Sequence, residues 1–112
     1  MNLWTEPEPG WVNIMGAGLI GGSVGMALRQ SGWKVAVVDV DPATQTEAMN
    51  RGAADRVGLE PEATVTVVAA PVGAIPELVM RALAETTGVV TDVGSAKADI
   101  CASVTDPRFI GG

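Results

Sequence analysis

The sequence predicts an α/β fold: a single domain built on a doubly wound parallel sheet. Three observations carry this. Short apolar runs alternate with helix-patterned segments along the chain, as strands joined by crossover helices require. One run, Val65-Thr66-Val67-Val68-Ala69-Ala70, is almost unbroken, as expected of a parallel strand covered on both faces. The first run leads directly into a glycine-rich turn, Gly16-Ala17-Gly18-Leu19-Ile20-Gly21, with a small-residue helix behind it. At 112 residues and 47% apolar content, the chain can bury one such core but not two.

The elements follow in order. Residues 1–10, with Pro7, Pro9, Glu6 and Glu8, read as a loose N-terminal arm, and residues 11–112 as the domain. Residues 11–15 form the first strand and 19–31 the first helix, closed by Gly32. Residues 33–39 form the second strand and 42–51 the second helix. Asp41 caps that helix, Pro42 opens it and Gly52 stops it. Residues 53–59 hold a short, irregular strand at most. Residues 65–70 are the central strand, ended by Pro71 and Gly73. In the helix over 76–85, Leu78, Val79, Ala82 and Leu83 make one buried stripe. A strand at 89–93, a short helix at 96–104 and the start of a strand at 108–110 complete the pattern.

The glycine turn has the chemistry of a dinucleotide site in a Rossmann-type domain. Gly16 lets the chain turn sharply, Gly18 lets the backbone approach a pyrophosphate, and Gly21 lets the helix pack on its strand. The helix N-terminus offers free N–H groups and partial positive charge to phosphates. Asp39 follows Gly21 by 18 residues and ends the second strand, where a carboxylate accepts hydrogen bonds from the adenosine ribose. It would repel a 2′-phosphate, and Arg51, the nearest downstream arginine, is most of a helix away, so NAD is favoured over NADP. The bland alternative is a glycine-lined packing face without ligand. Ser23 fits a phosphate contact and simple packing equally well.

Composition excludes other classes. A net charge of −6 argues against nucleic acid and anionic membrane surfaces as partners. Cys101 is the only cysteine, so an intrachain disulfide and a thiolate metal site are ruled out and a cytoplasmic home is expected. Within the short helix, Cys101 reads as a buried inert thiol. The chain has no histidine, the commonest general base and metal ligand. The uncharged run over 10–28 contains Gly18/Gly22 and Gly21/Gly25, a spacing seen in membrane helix pairs. Gly16, Gly18 and Asn13 interrupt it, and no basic residue precedes it, so neither a span nor a signal peptide is expected.

Several segments together resemble a known family. Gly16 to Ser23, Asp39, Ala69-Ala70-Pro71-Val72, Asp92-Val93-Gly94-Ser95-Ala96-Lys97 and Phe109-Ile110-Gly111-Gly112 are similar to the NAD-binding domain of prephenate/arogenate dehydrogenases. The likeness runs from Trp11 onward. The Leu-Ile-Gly-Gly-Ser and Asp-x-Gly-Ser-x-Lys segments are more specific than the glycine spacing.

The resemblance implies an enzyme of tyrosine biosynthesis that passes hydride from the ring carbinol of prephenate or arogenate to NAD, with loss of the ring carboxylate. It implies cofactor contacts from Gly16, Gly18, Leu19, Ile20, Gly21, Asp39, Ala70, Pro71 and Val72. Ser95 corresponds to a serine that hydrogen-bonds the catalytic histidine or the substrate hydroxyl; capping the helix that follows it is the alternative. Lys97 reads as a solvated or phosphate-facing residue. In the family the proton acceptor is a histidine in a His-Pro-x-Ala-Gly segment directly after the Phe-x-Gly-Gly strand. The chain is therefore expected to bind cofactor without turning over substrate alone. A helical domain outside it would complete the pocket and form a homodimer. Phe109, Ile110 and part of 72–75 are then expected to form an apolar docking patch. Two other readings stay open: the nucleotide half of another two-domain dehydrogenase or imine reductase, and a non-catalytic dinucleotide-binding module.

Overall fold

The computed structural model describes residues 10–70, 72–92 and 107–110. The elements are β1 (Trp11–Met15), α1 (Leu19–Gln30), β2 (Lys34–Val38), α2 (Pro42–Asn50), β3 (Arg56–Val57), β4 (Val65–Val68), a 3₁₀ turn (Val72–Ala74), α3 (Ile75–Glu85), β5 (Val89–Asp92) and β6 (Phe109–Ile110). The six strands form one sheet in the order β3-β2-β1-β4-β5-β6, with every pairing parallel. β1 lies at the centre, Val12 pairing with Val35 on one side and Val65 on the other. The strand order reverses between β1 and β4, which opens a crevice beyond their carboxyl ends.

Strand alternation divides the core into two layers. Val12, Ile14, Val35, Val37 and Val67 point to the face covered by α1 and α2, with Ala48, Ala53 and Ala54 against them. Met15, Val68 and Val90 point to the opposite face, where Ile75, Val79 and Ala82 of α3 cover them. The sheet is thus doubly wound, as the sequence predicts. Asn13 is fully buried on the α3 face of β1. Its Nδ2 donates to the Glu60 carbonyl (2.9 Å) and to Thr66 Oγ1 (3.0 Å), and its Oδ1 accepts the Glu60 N–H (2.8 Å). A polar residue inside the central strand is thereby paired to both the neighbouring strand and the loop after β3.

Boundaries differ from the sequence pattern where local bonds end an element early. Trp33 N–H donates back to the Leu28 carbonyl, so Trp33 belongs to the helix exit and β2 starts at Lys34. β4 stops at Val68, and Ala69 and Ala70 enter the turn. α3 starts one residue early, at Ile75, after the 3₁₀ turn. Its stripe is Ile75, Val79 and Ala82, with Leu78 and Leu83 only half-buried. Of the residues expected in an apolar patch, Ile75 is fully buried, Phe109 is partly buried against the α3 layer and Ile110 is exposed. Arg108 fixes β6 by donating to the Thr86 and Gly88 carbonyls (2.7 and 3.2 Å) and to Leu83, at the exit of α3. Residues 1–9 of the predicted N-terminal arm, Val93 and the helix over 96–104 with Cys101 lie outside the described residues.

The paired glycines of α1 serve packing within the domain. A Cβ at Gly21 would overlap the Gly16 carbonyl oxygen, and one at Gly25 would meet the Ala53 carbonyl. Among the described residues no helix is long and apolar enough to cross a membrane.

Candidate functional site

β1 delivers the chain to Gly16, whose φ of +99° lies in the left-handed region that a side chain disfavours. The Gly16 N–H donates to the Val38 carbonyl (2.7 Å), and a Cβ here would sit 2.7 Å from the Ala69 carbonyl oxygen. The turn is therefore wedged between the ends of β2 and β4. Gly18 is the N-cap of α1, with no side chain capping the helix. A Cβ on Gly18 would meet nothing within 4 Å, so its backbone faces open space. The first intrahelical bond runs from Gly22 N–H to the Gly18 carbonyl, which leaves the N–H groups ahead of it without intrahelical acceptors. Ile20, in that first turn, is 55% exposed.

Asp39 stands just past β2 and is half-buried. Its Oδ2 accepts the Ala17 N–H and its Oδ1 accepts the Asp41 N–H, both at 2.9 Å. Its own N–H donates to Gln45 Oε1 (2.9 Å). One carboxylate thus ties the glycine turn to the start of α2, and each oxygen keeps a further lone pair for a ligand hydroxyl. Asp41 has the structural role the sequence predicts, accepting the Ala43 N–H (2.9 Å) as N-cap with Pro42 behind it.

Beside these groups lies a cleft of about 480 Å³, within the usual range for a small-molecule site. Gly16, Gly18 and Asp39 form one side, and Met15, Val38, Ala69 and Ala70 its apolar floor. Val40, Ala74, Leu78 and Arg81 complete the lining. Of the predicted cofactor residues, Gly16, Gly18, Asp39 and Ala70 line this cleft. Gly21 sits beneath it and acts through packing. Leu19 and Ile20 open α1, and Val72 opens the 3₁₀ turn. Pro71, Ser95 and Lys97 lie outside the described residues. Asp92, buried in register with Val68, ends β5 and leads into that segment.

Sequence reasoning missed Val40, Leu78 and Arg81. Val40 adjoins Asp39 and is 97% exposed, a position that the carboxylate itself could have flagged. Leu78 was expected in the core, and its half-burial comes from facing the cleft. Arg81 carries no sequence signal; only the packing of α3 brings it to Asp39's cleft. Arg51, the arginine weighed for a 2′-phosphate, lies elsewhere. It pairs with Glu47 (3.6 Å) and borders a second crevice of about 220 Å³ between α1 and α2, whose lining shares Gly18 with the first. No group of three or more histidine, cysteine or acidic residues suited to a metal occurs among the described residues.

No curated protein sequence matches the chain significantly. Solved structures do. Prephenate dehydrogenase from A. aeolicus, in complex with hydroxyphenyl propionate and NAD+, superposes with a TM-score of 0.83 at 24% identity, over 96% of this chain and 42% of that one. Synechocystis arogenate dehydrogenase gives a TM-score of 0.77 at 25% identity, over 90% of this chain and 39% of its own. Mycobacterium tuberculosis 3-hydroxyisobutyrate dehydrogenase, at 17% identity and a TM-score of 0.74, covers 90% of this chain and 38% of its own and shares the fold. The chain thus spans about two fifths of the length of these solved relatives. The family model for the prephenate dehydrogenase nucleotide-binding domain matches residues 24–111, a range that begins after the glycine turn and so adds to what the turn implies. The chain belongs to the family of prephenate dehydrogenase nucleotide-binding domains.

Proposed function

We propose that this chain is the NAD-binding unit of a prephenate or arogenate dehydrogenase acting in tyrosine biosynthesis. The observation that carries the proposal is Asp39, a carboxylate on the same cleft as an uncapped helix N-terminus. The residues fit a dinucleotide: a ribose acceptor, open space at Gly18 for a pyrophosphate, and an apolar slot beyond.

When bound, NAD supplies the hydride acceptor for oxidation of the ring carbinol. The chain's own residues bind and orient it. Asp39 accepts the ribose hydroxyls and repels a 2′-phosphate. The N–H groups opening α1, at Leu19 and Ile20, hold the phosphates. Ala70, Pro71 and Val72 form the wall past β4, and Ser95 hydrogen-bonds the proton acceptor or the substrate hydroxyl. The chain contains no histidine, so the histidine that takes the hydroxyl proton in this family comes from other residues of the enzyme. Substrate binding and the homodimer are likewise assigned to a helical domain outside these residues.

Calorimetric titration with NAD and NADP, on this chain and on Asp39→Ala, tests the proposal. NAD should bind and NADP should not. Loss of two charge-assisted hydrogen bonds, each about 1.5 kcal/mol or more, should weaken NAD by at least about 150-fold. Equal affinity of the substituted and unsubstituted chains for NAD would remove Asp39 from the site, and binding of neither dinucleotide would refute the nucleotide reading.

A further inference from the structure

The lining of the cleft includes one cation, Arg81, among mostly apolar side chains. Among the described residues its partner is Glu85, at 2.8 Å from Arg81 Nε, in the next turn of α3. That pairing is a weak one for three reasons. Both side chains are nearly half exposed, at 45% and 49%, so water screens them. The acidic residue lies C-terminal to the basic one, the less favourable order on a helix. Glu85 also sits in the last turn of α3, where the helix dipole repels an anion.

Arg81 can therefore exchange Glu85 for a better partner at little cost. Sharing the cleft with it are Val40, fully exposed and apolar, and Leu78, half-buried one turn earlier on the same helix. Beyond a ribose held by Asp39, such a slot suits a flat, apolar, π-bearing group. A guanidinium is the side chain that stacks on such a face.

Resting on the NAD-binding reading above, we infer that Arg81 is a swinging lid over the adenine ring. It leaves Glu85 when the dinucleotide binds and lays its guanidinium plane on the base, with Val40 and Leu78 as apolar contacts. Glu85 is then a competitor that holds the lid open in the free chain. Arg81 acts on the base and not on a phosphate, because the phosphate-binding end of the cleft is the glycine side.

The test is titration of the chain, Arg81→Ala and Glu85→Gln with NAD by calorimetry and with adenosine by NMR shifts. Adenosine carries no charge, so it separates stacking from attraction to phosphate. Arg81→Ala should weaken both ligands by about fivefold, the size of a partly exposed cation–π contact. Glu85→Gln should tighten both by about twofold, since an exposed pair of this kind is lost. Both positions are exposed, and unchanged melting curves without ligand check that the variants fold. A loss with NAD but not adenosine would make Arg81 a phosphate-attracting charge and overturn the lid. So would unchanged binding of both. If the unsubstituted chain binds neither ligand, the nucleotide reading itself fails.

Discussion

Three glycines within one turn and a half of helix predict three different outcomes on substitution by alanine. At Gly21 the new methyl overlaps the Gly16 carbonyl oxygen, lies 3.0 Å from its carbon and 3.1 Å from Ile14 Cγ2. Neither neighbour can retreat. Gly16 is held by its bond to Val38 and by its left-handed backbone, and Ile14 is buried at the centre of the sheet. α1 must lift away from β1, an overpacking cost of about 3 kcal/mol, the upper part of the usual range because backbone meets methyl. Alanine returns about 1 kcal/mol through helix propensity, leaving a net loss of about 2 kcal/mol. At about 4 °C per kcal/mol for a chain of this size, Tm should fall by about 8 °C. Gly22 is the control. Its new Cβ would lie 3.6 Å from the Ala17 carbonyl oxygen, an ordinary contact, so propensity alone should raise Tm by about 4 °C. Gly18→Ala should leave Tm within about 2 °C, because its methyl enters open space. In the proposed site that space receives the pyrophosphate, so NAD affinity should fall by at least about tenfold. Thermal melts followed by circular dichroism, with calorimetric titration of each variant, read both effects. The reasoning fails if Gly21→Ala and Gly22→Ala move Tm in the same direction, or if Gly18→Ala binds NAD undiminished.

Two further predictions concern stability away from the cleft. Asn13→Ala strands the Glu60 N–H and carbonyl and the Thr66 hydroxyl, and urea unfolding should show a loss of about 2–3 kcal/mol; under half of that would mean the loop after β3 does not depend on Asn13. Asp55 accepts the Val35 N–H (2.7 Å) and pairs with Arg29 (3.0 Å). Burial pushes its carboxyl up, but the Val35 N–H, the Arg29 guanidinium and Lys34 together outweigh that and hold it below its usual 3.8. A depressed folded value gives stability that is present above pH 3.8 and lost as pH falls through the folded value. The stability gap between the native chain and Asp55→Asn should therefore narrow in acid below that point, whereas a gap independent of pH would contradict it.

The fold was legible because its cues are local. The glycine turn, the Asp41-Pro42 cap and the unbroken run at β4 each need only a few neighbouring residues, and each appears where the pattern puts it. β3 was not, since two residues are too few to carry a period, and its place is set by pairing with Ala36 and Val37. Gly25 gave a misleading signal: its spacing from Gly21 suggested a helix-dimer face, and the cause is the Ala53 backbone, 28 residues later. The site divides in the same way. Gly16, Gly18 and Asp39 were readable because one strand-turn-helix-strand unit fixes their spacing. Leu78 and Arg81 reach the cleft only through the packing of α3, and helical periodicity cannot distinguish a solvent face from a ligand face.

Asp39 has one more consequence, for how cofactor preference in this domain can change. Its carboxylate secures the Ala17 and Asp41 N–H groups, and in the proposed site it also discriminates at the ribose. A substitution that removes the carboxylate with its acceptors, to admit a 2′-phosphate, also unfastens the glycine turn from α2. Preference for NADP is thus not one mutation away. An engineered or natural switch would need a neutral acceptor that still receives the Ala17 N–H, such as asparagine or serine. It would also need a new cation at a neighbouring position, for which exposed Val40 is the obvious place. The order of those steps matters: adding the cation first leaves the turn intact, while losing the carboxylate first leaves an intermediate that is both looser and unspecific.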